Sequence, residues 1–311
     1  MNTHQPSRQT LGLLYMIGIV AISFSSIFIK WSEAEVSAMA MYRLYLTNLI
    51  MLPLAWTYRK ELFGLTRKQW LWLGASGIML GLHFLLWMAS LRLTTVASST
   101  VILTLEPILV MLGSYWIFRT RTNRMMLLGM SLAVIGSIAI GAGDFHASGT
   151  ALTGDLLSLL GTIAVAVHML MGKHLREHIS AFTYNFWVFA IAASFLAVYN
   201  VSNSIPFTGY AWREWGLFLL LAIVPTLFGH YLFNWLLKYI NATTVSMAVL
   251  GEPVISSILA WVLLHEQLTV IQMTAGAVIL TGVWLFIRFG NDFKPSEETI
   301  SQANSKPPAA V

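Results

Sequence analysis

The chain has no cysteine, which excludes disulfides, thiolate metal sites and cysteine nucleophiles together. It is also poor in charge. Asp, Glu, Lys and Arg make up 10% of its 311 residues, against about 25% in soluble domains, so a water-facing surface of ordinary composition cannot be built from it. No Walker loop is present, which leaves ATP-driven work unsupported. His265-Glu266 is followed by Thr269 where a metalloprotease helix needs a second histidine. His174 and His178 stand four apart but in a basic stretch with Lys173 and Arg176, a poor setting for a metal ion. These absences argue against an enzyme and against any cofactor.

What the chain has instead is apolar sequence. Hydrophobic residues reach 57% and fall in continuous runs, such as Leu11 to Ile29 and Val245 to Leu264, rather than in the alternating pattern of a membrane barrel. Breaks at charged and turn-rich points divide the chain into ten candidate transmembrane helices of about 20 residues each. They cover 11–30, 36–57, 70–91, 95–118, 125–142, 153–173, 182–200, 215–237, 243–264 and 271–289. The expected fold is therefore an all-α polytopic membrane protein, in contact with the lipid bilayer.

Basic residues resist translocation and so report orientation. With a cytoplasmic amino terminus, the inner segments hold 14 of the 18 Lys and Arg residues, whereas the outer segments hold Lys30, Arg92 and Arg213 and a span holds Arg43. This distribution predicts a multi-pass protein of the cytoplasmic (inner) membrane with both termini inside. It also accounts for the net charge of +5 without a nucleic-acid partner. Residues 1–10 form the cytoplasmic amino terminus, and 290–311 a polar, proline-containing tail expected to be disordered.

The two halves resemble each other. Leu91 to Pro107 and Leu237 to Pro253 align without a gap, each position being 146 residues from its mate, and both stretches end in Glu-Pro. The repeats are assigned to 11–142 and 153–289. A five-span unit, odd in number, must lie in opposite senses in its two copies, so the pattern predicts two inverted five-helix repeats, the usual build of secondary transporters.

Several residues could carry transport. Glu106 and Glu252 fall about ten residues into their spans, hence about 15 Å deep, where an acidic group is costly unless it faces the bundle interior or a wet cavity. Pro107 and Pro253 remove a backbone donor and are expected to free the carbonyls of Leu103 and Val249, breaking each helix locally. Two readings of the glutamates stand at this point: cargo or proton handling, or a protonated side chain that only packs. Helical spacing adds Ser99 and Thr95 to Glu106, and Ser256, Thr244 and Asn241 to Glu252. His83 with Trp87, and His230 with Asn234, share faces of spans 3 and 8 and suggest an aromatic wall with polar groups. His168 has no polar companion at helical spacing and reads as a core histidine. Arg43, about 10 Å deep in span 2, either attracts an anionic group of the cargo or pairs with Glu106, Glu252, Glu33 or Glu35. Ser26 in span 1 stands at three- and four-residue spacing from Ser23 and Lys30. Gly77, Gly81, Gly129, Gly136, Gly276 and Gly282 are expected to permit close helix contacts.

The stretches SFSSIFIK (Ser23 to Lys30), MAMYRLYL (Met39 to Leu46), HFLLWMASL (His83 to Leu91), GDLLSLLGTIAVAVHMLMGK (Gly154 to Lys173), GHYLFNWLLKYINATTVSMAVLGEP (Gly229 to Pro253) and LLHEQLTVIQMTAGAVILTGV (Leu263 to Val283) resemble the EamA family of the drug/metabolite transporter superfamily. The resemblance runs from about Leu13 to Ile287. It implies ten helices as two EamA repeats, with cargo contacts on spans 1, 3, 4, 6, 8 and 9. It also implies export of an amino acid or another small metabolite. The chain departs from the family at Arg119-Thr120, where the second repeat keeps His265-Glu266, and at Arg43, whose counterpart is Phe186. The expected function is a secondary, non-ATP transporter of a small polar or amphiphilic metabolite, working by alternating access, with protons as candidate coupling ions. Two alternatives stand beside it: a broad-specificity drug or organic-cation exporter, and a membrane-embedded binding or scaffold protein without flux. The oligomeric state is not specified.

Overall fold

A computed structural model describes residues 6–94, 99, 102–141, 149–265 and 270–290. All of its regular structure is helical, with no strand among the described residues. The elements are α1 (Arg8–Trp31), α2 (Val36–Phe63), α3 (Arg67–Leu93), α4 (Glu106–Phe118), α5 (Arg124–Gly141), α6 (Gly149–Arg176), α7 (Ala181–Ser202), α8 (Trp212–Leu221), a π-helix (Ala222–Tyr231), α9 (Leu232–Leu236), α10 (Ala242–Ser246), a 3₁₀ segment (Met247–Gly251), α11 (Glu252–Leu264) and α12 (Val270–Phe289). Seven helical stretches are long and apolar enough to cross a membrane, and three shorter apolar helices accompany them. Large apolar side chains such as Leu52, Leu71, Trp116 and Trp284 are exposed, which suits hydrocarbon and not water. The protein is a multi-pass membrane protein.

Several helices outrun their apolar stretches because polar caps extend them past the hydrocarbon. α1 starts at Arg8 rather than at 11, since the Ser7 hydroxyl accepts from the Thr10 N–H. α3 starts at Arg67 rather than at 70 behind a reciprocal Thr66–Gln69 capping box. Residues 95–98 of the fourth span and the tail 291–311 lie outside the described residues, so the expectations for Thr95 and for a disordered tail fall there too.

Three spans depart from straight α-helix. In the fourth, a turn at Thr104–Leu105 precedes α4, which carries Pro107 in its first turn. In the ninth, the expected helix 243–264 is divided by the 3₁₀ segment, and α11 restarts at Glu252-Pro253. In the eighth, the expected helix 215–237 becomes a π-helix containing Pro225. Proline has no N–H to give the turn before it. Hydroxyls take over here: Thr226 Oγ1 donates to the Leu221 carbonyl at 2.7 Å, and Thr47 Oγ1 of α2 donates to the Ala222 carbonyl at 3.2 Å.

The halves reuse local devices. α4 and α11 are both 13 residues long. Each is followed by a non-glycine residue in the left-handed region, Arg119 at φ 57° and His265 at φ 55°, positions 146 apart. Contacts come in mates as well. α3 packs on α6 as the π-helix packs on α1, and α4 packs on α6 as α11 packs on α1. α2 with α7, and α5 with α12, form two further pairs.

Glycines set the tightest crossings. A Cβ at Gly129 of α5 would lie 2.5 Å from the Gly282 carbonyl oxygen of α12, and one at Gly282 would lie 2.4 Å from the Gly129 oxygen. The two backbones therefore touch. Gly77 and Gly81 bring α3 against α7 in the same manner, with Cβ positions 2.7 and 2.8 Å from Ile191 and Phe195. Gly276 is different, since a Cβ there meets Val254 only at 3.6 Å, an ordinary contact. Because the obstacle at Gly282 is backbone, Gly282→Val should force α5 and α12 apart and cost about 1–3 kcal/mol. Thermal stability in detergent checks this: unaltered stability would mean that the crossing is loose.

Candidate functional site

A cavity lies where α1, α3, the fourth span, α6, the eighth span and the ninth span meet. Its lining comprises Ile22, Ser25, His83, Trp87, Leu103, Glu106, Val165, His168, Met169, His230, Phe233, Asn234, Val249 and Glu252. Its volume is about 60 Å³, room for about two waters at roughly 30 Å³ each. It is a small, mostly apolar chamber with polar groups set into its wall.

Both glutamates reach it from the points where their helices restart. Glu106 and Glu252 each open a helix with proline next in sequence, and each is almost wholly buried. Glu106 Oε1 has no hydrogen-bond partner. An acceptor left unpartnered in a buried site is expensive. Leu103 and Val249, the residues preceding the breaks, line the same chamber.

Histidines and tryptophan also line the chamber. His83 Nδ1 donates to the Gly161 carbonyl at 3.0 Å, which leaves Nε2 as the acceptor of the neutral ring. Gly161 makes that bond possible, because a Cβ there would sit 3.1 Å from the Trp87 backbone nitrogen. The His83 and Trp87 rings are nearly parallel, 5.9 Å apart at 4°. His230, at the end of the π-helix, meets Phe84 edge-on at 5.1 Å. Asn234 donates from Nδ2 to Asn185 Oδ1 at 2.8 Å, while its backbone carbonyl accepts from Arg176 Nε at 3.0 Å.

Six of the residues singled out by sequence thus line one cavity: Glu106, Glu252, His83, Trp87, His230 and Asn234. Others do not. Ser99 is held by hydroxyls, 2.7 Å from Ser90 Oγ and 3.3 Å from Ser158 Oγ, and packs span 4 against α3 and α6. Ser26 and Ser256 face each other at 3.3 Å, and Ser256 donates to the Ser23 carbonyl at 3.1 Å, which ties α1 to α11. Thr244 is buried, and its carbonyl accepts from Tyr15 at 2.9 Å. Asn241 caps the start of α10. The reason lies in the local twist. A 3₁₀ turn has three residues where an α turn has 3.6, so the Met247–Gly251 segment rotates what precedes it by about 100° relative to Glu252. The fourth span, interrupted at Thr104–Leu105, loses its α phase in the same way.

Arg43 requires a correction. It pairs with none of Glu106, Glu252, Glu33 or Glu35. Its Nε donates to Thr226 Oγ1 at 3.0 Å, its Nη1 reaches Ser25 Oγ at 3.5 Å, and its guanidinium lies 4.3 Å from the centre of the Phe84 ring. The π-helix is what carries Thr226 to it. Two polar lining residues were not assigned to the site by the sequence reading. Ser25 stands one position from Ser26, hence about 100° around the helix. His168 is buried as a core residue would be, bonded through Nδ1 to Ser76 Oγ at 2.9 Å and to the Ser76 carbonyl at 3.1 Å, yet it also faces the cavity. Its polar companions come from α3 and α7, which no spacing along α6 reveals.

Comparison with known proteins identifies the class. The chain belongs to the EamA-like transporter family, whose pattern it matches over residues 10–142 and again over 152–288. It is 26% identical over 258 residues to YetK of Bacillus subtilis, described as an uncharacterized transporter, covering 79% of this chain and 76% of that one. It is 25% identical over 294 residues to an uncharacterized transporter of Archaeoglobus fulgidus, covering 90% of this chain and 97% of the relative. A crystal structure at 15% identity superposes with a TM-score of 0.78 over 93% of this chain and all of its own, a likeness of fold. The protein is a membrane transporter.

The natural absence of cysteine allows the cavity to be mapped with single thiols. Ser25→Cys, His83→Cys and Asn234→Cys should react with a water-soluble maleimide at least about tenfold faster than Ser99→Cys or the lipid-facing Leu280→Cys, because the reactive thiolate forms only where water enters. Equal rates at all five positions would show that the chamber is dry in every state.

Proposed function

We propose that the protein is a secondary transporter, an exporter of a small polar or amphiphilic metabolite such as an amino acid, acting from the cytoplasmic membrane with both termini inside. The carrying observation is the cavity at the junction of the two halves, with Glu106 and Glu252 entering it at matched helix breaks. Further support comes from the mated contacts of α3 on α6 and of the π-helix on α1. In this reading the repeats, 11–142 and 153–289, form ten spans with inverted orientation and rock about the cavity. The breaks before Glu106 and Glu252 serve as flexible points, and the backbone-to-backbone contact of α5 with α12 is a pivot at the periphery. A glutamate that has no fixed partner can carry a proton in one direction and cargo contact in the other.

Two measurements test this. A periplasm-dependent reporter fused after Val311 should be inactive; activity there would overturn the orientation and, with it, the inverted repeat. Glu252→Gln keeps the shape and hydrogen bonding of the side chain but cannot ionise. If Glu252 couples a proton to cargo, pH-gradient-driven flux in proteoliposomes should fall about 5–150-fold, the usual span of site-to-site coupling, while equilibrium exchange persists. Undiminished gradient-driven flux in the Glu106→Gln, Glu252→Gln double mutant would remove proton coupling from the mechanism.

A further inference from the structure

Arg43 is the largest fully buried side chain among the described residues, and its position in the membrane core calls for a counter-ion. Its partners are the Thr226 and Ser25 hydroxyls and the face of Phe84, and Nη2 bonds to nothing. A guanidinium with neutral partners and one idle nitrogen leaves a positive field in the surrounding low-dielectric space. Ser25, on the cavity wall, accepts from Arg43 and so keeps its own O–H for an acceptor. His230, also on the wall, touches the same Phe84 ring on which Arg43 lies. Trp87 Nε1–H, buried in the wall beside His83, has no partner either. The part of the wall formed by Ser25 and Trp87 therefore holds donors without acceptors, as does Arg43 outside it, whereas Glu106 Oε1 is an acceptor without a donor.

We infer that this part of the wall is a carboxylate subsite, that Ser25 and Trp87 contact the carboxylate, and that Arg43, behind Ser25, sets the charge selectivity of transport. The inference rests on the transporter reading above and narrows its cargo to carboxylate-bearing molecules, against organic cations. A carboxylate offers two oxygens to the donors, carries the single negative charge that one guanidinium balances, and is small enough for the chamber. A phosphate group would bring more charge than one arginine offsets and more oxygens than these donors reach. An ammonium or other cation gains nothing at this part of the wall, where it would face Arg43.

The test uses the full-length protein in detergent and in proteoliposomes. Three scaffolds, those of leucine, phenylalanine and serine, are each presented as the amino acid, as its amide, and as the acid without its amino group, with inorganic phosphate as a second anion. In thermal-shift and competition binding, at least one carboxylate-bearing member should bind at least about tenfold more tightly than its amide, and phosphate should not compete. Arg43→Gln should abolish that preference, weakening carboxylate binding about 100-fold while leaving any amide binding unchanged. Should Arg43→Gln fail to fold, Ser25→Ala and Trp87→Phe each remove a single donor and should each weaken carboxylate binding about tenfold. Equal affinity for carboxylates and amides, competition by phosphate, unchanged carboxylate binding in the variants, or no binding of any carboxylate would each overturn the subsite. Saturable flux of an amide or an organic cation, indifferent to Arg43→Gln, would overturn it while leaving the transporter intact. A protein that binds carboxylates with the expected Arg43 dependence yet gives no flux would instead defeat the transporter reading.

Discussion

Hydrocarbon supplies no hydrogen-bond partners, so a membrane-spanning chain must satisfy its polar groups from within or bear the cost of leaving them bare. Several of the buried polar residues here meet that demand locally. Thr47, Ser137, Thr162 and Ser246 return their hydroxyls to carbonyls three or four residues earlier. The breaks that proline imposes on the eighth span are repaired by Thr226 and Thr47. Against that background the unsatisfied atoms stand out. Of six such atoms among the described residues, Glu106 Oε1 and Trp87 Nε1 belong to residues of the chamber wall and Arg43 Nη2 to a residue bonded to wall residue Ser25, whereas those of Arg8, Ser114 and Asn200 lie elsewhere.

The same constraint explains why the site sits where helices are irregular. A continuous α-helix closes its own backbone bonds and presents only side chains. The 3₁₀ segment before Glu252, the turn before Glu106 and the π-helix ending at Tyr231 interrupt that closure at the cavity. Irregular backbone at membrane depth is tolerated where it lines a cavity. Two of these irregular segments occupy matching places in the two halves, and the third lies in the span that carries His230. The glycine crossings have the opposite character. Gly129 against Gly282 is a close backbone contact between two helices that do not line the cavity.

The asymmetry between the halves matters as much as their likeness. Arg43 on α2 reaches a threonine of the π-helix, and the comparable face of α7 carries Asn185, which instead bonds Asn234. At these two helices one half thus places a buried cation and the other a neutral amide.

Composition and periodicity by themselves determined that the chain is helical and membrane-spanning, because the hydrophobic requirement of a bilayer acts on each segment independently of the others. The Glu-Pro pairs at matched positions showed where two helices break, since proline acts on its own turn. Four wall residues, His83, Trp87, His230 and Asn234, followed from spacing within single helices. Only the tertiary structure decided the rest. Ser99, Thr244 and Asn241 were placed by an α-helical count that the turn and the 3₁₀ segment invalidate, and Ser26 and Ser256 spend their hydroxyls on the contact between α1 and α11. Ser25, His168 and the partners of Arg43 depend on which helix lies opposite. Such pairings arise between residues as far apart in sequence as Arg43 and Thr226, and no local regularity encodes them.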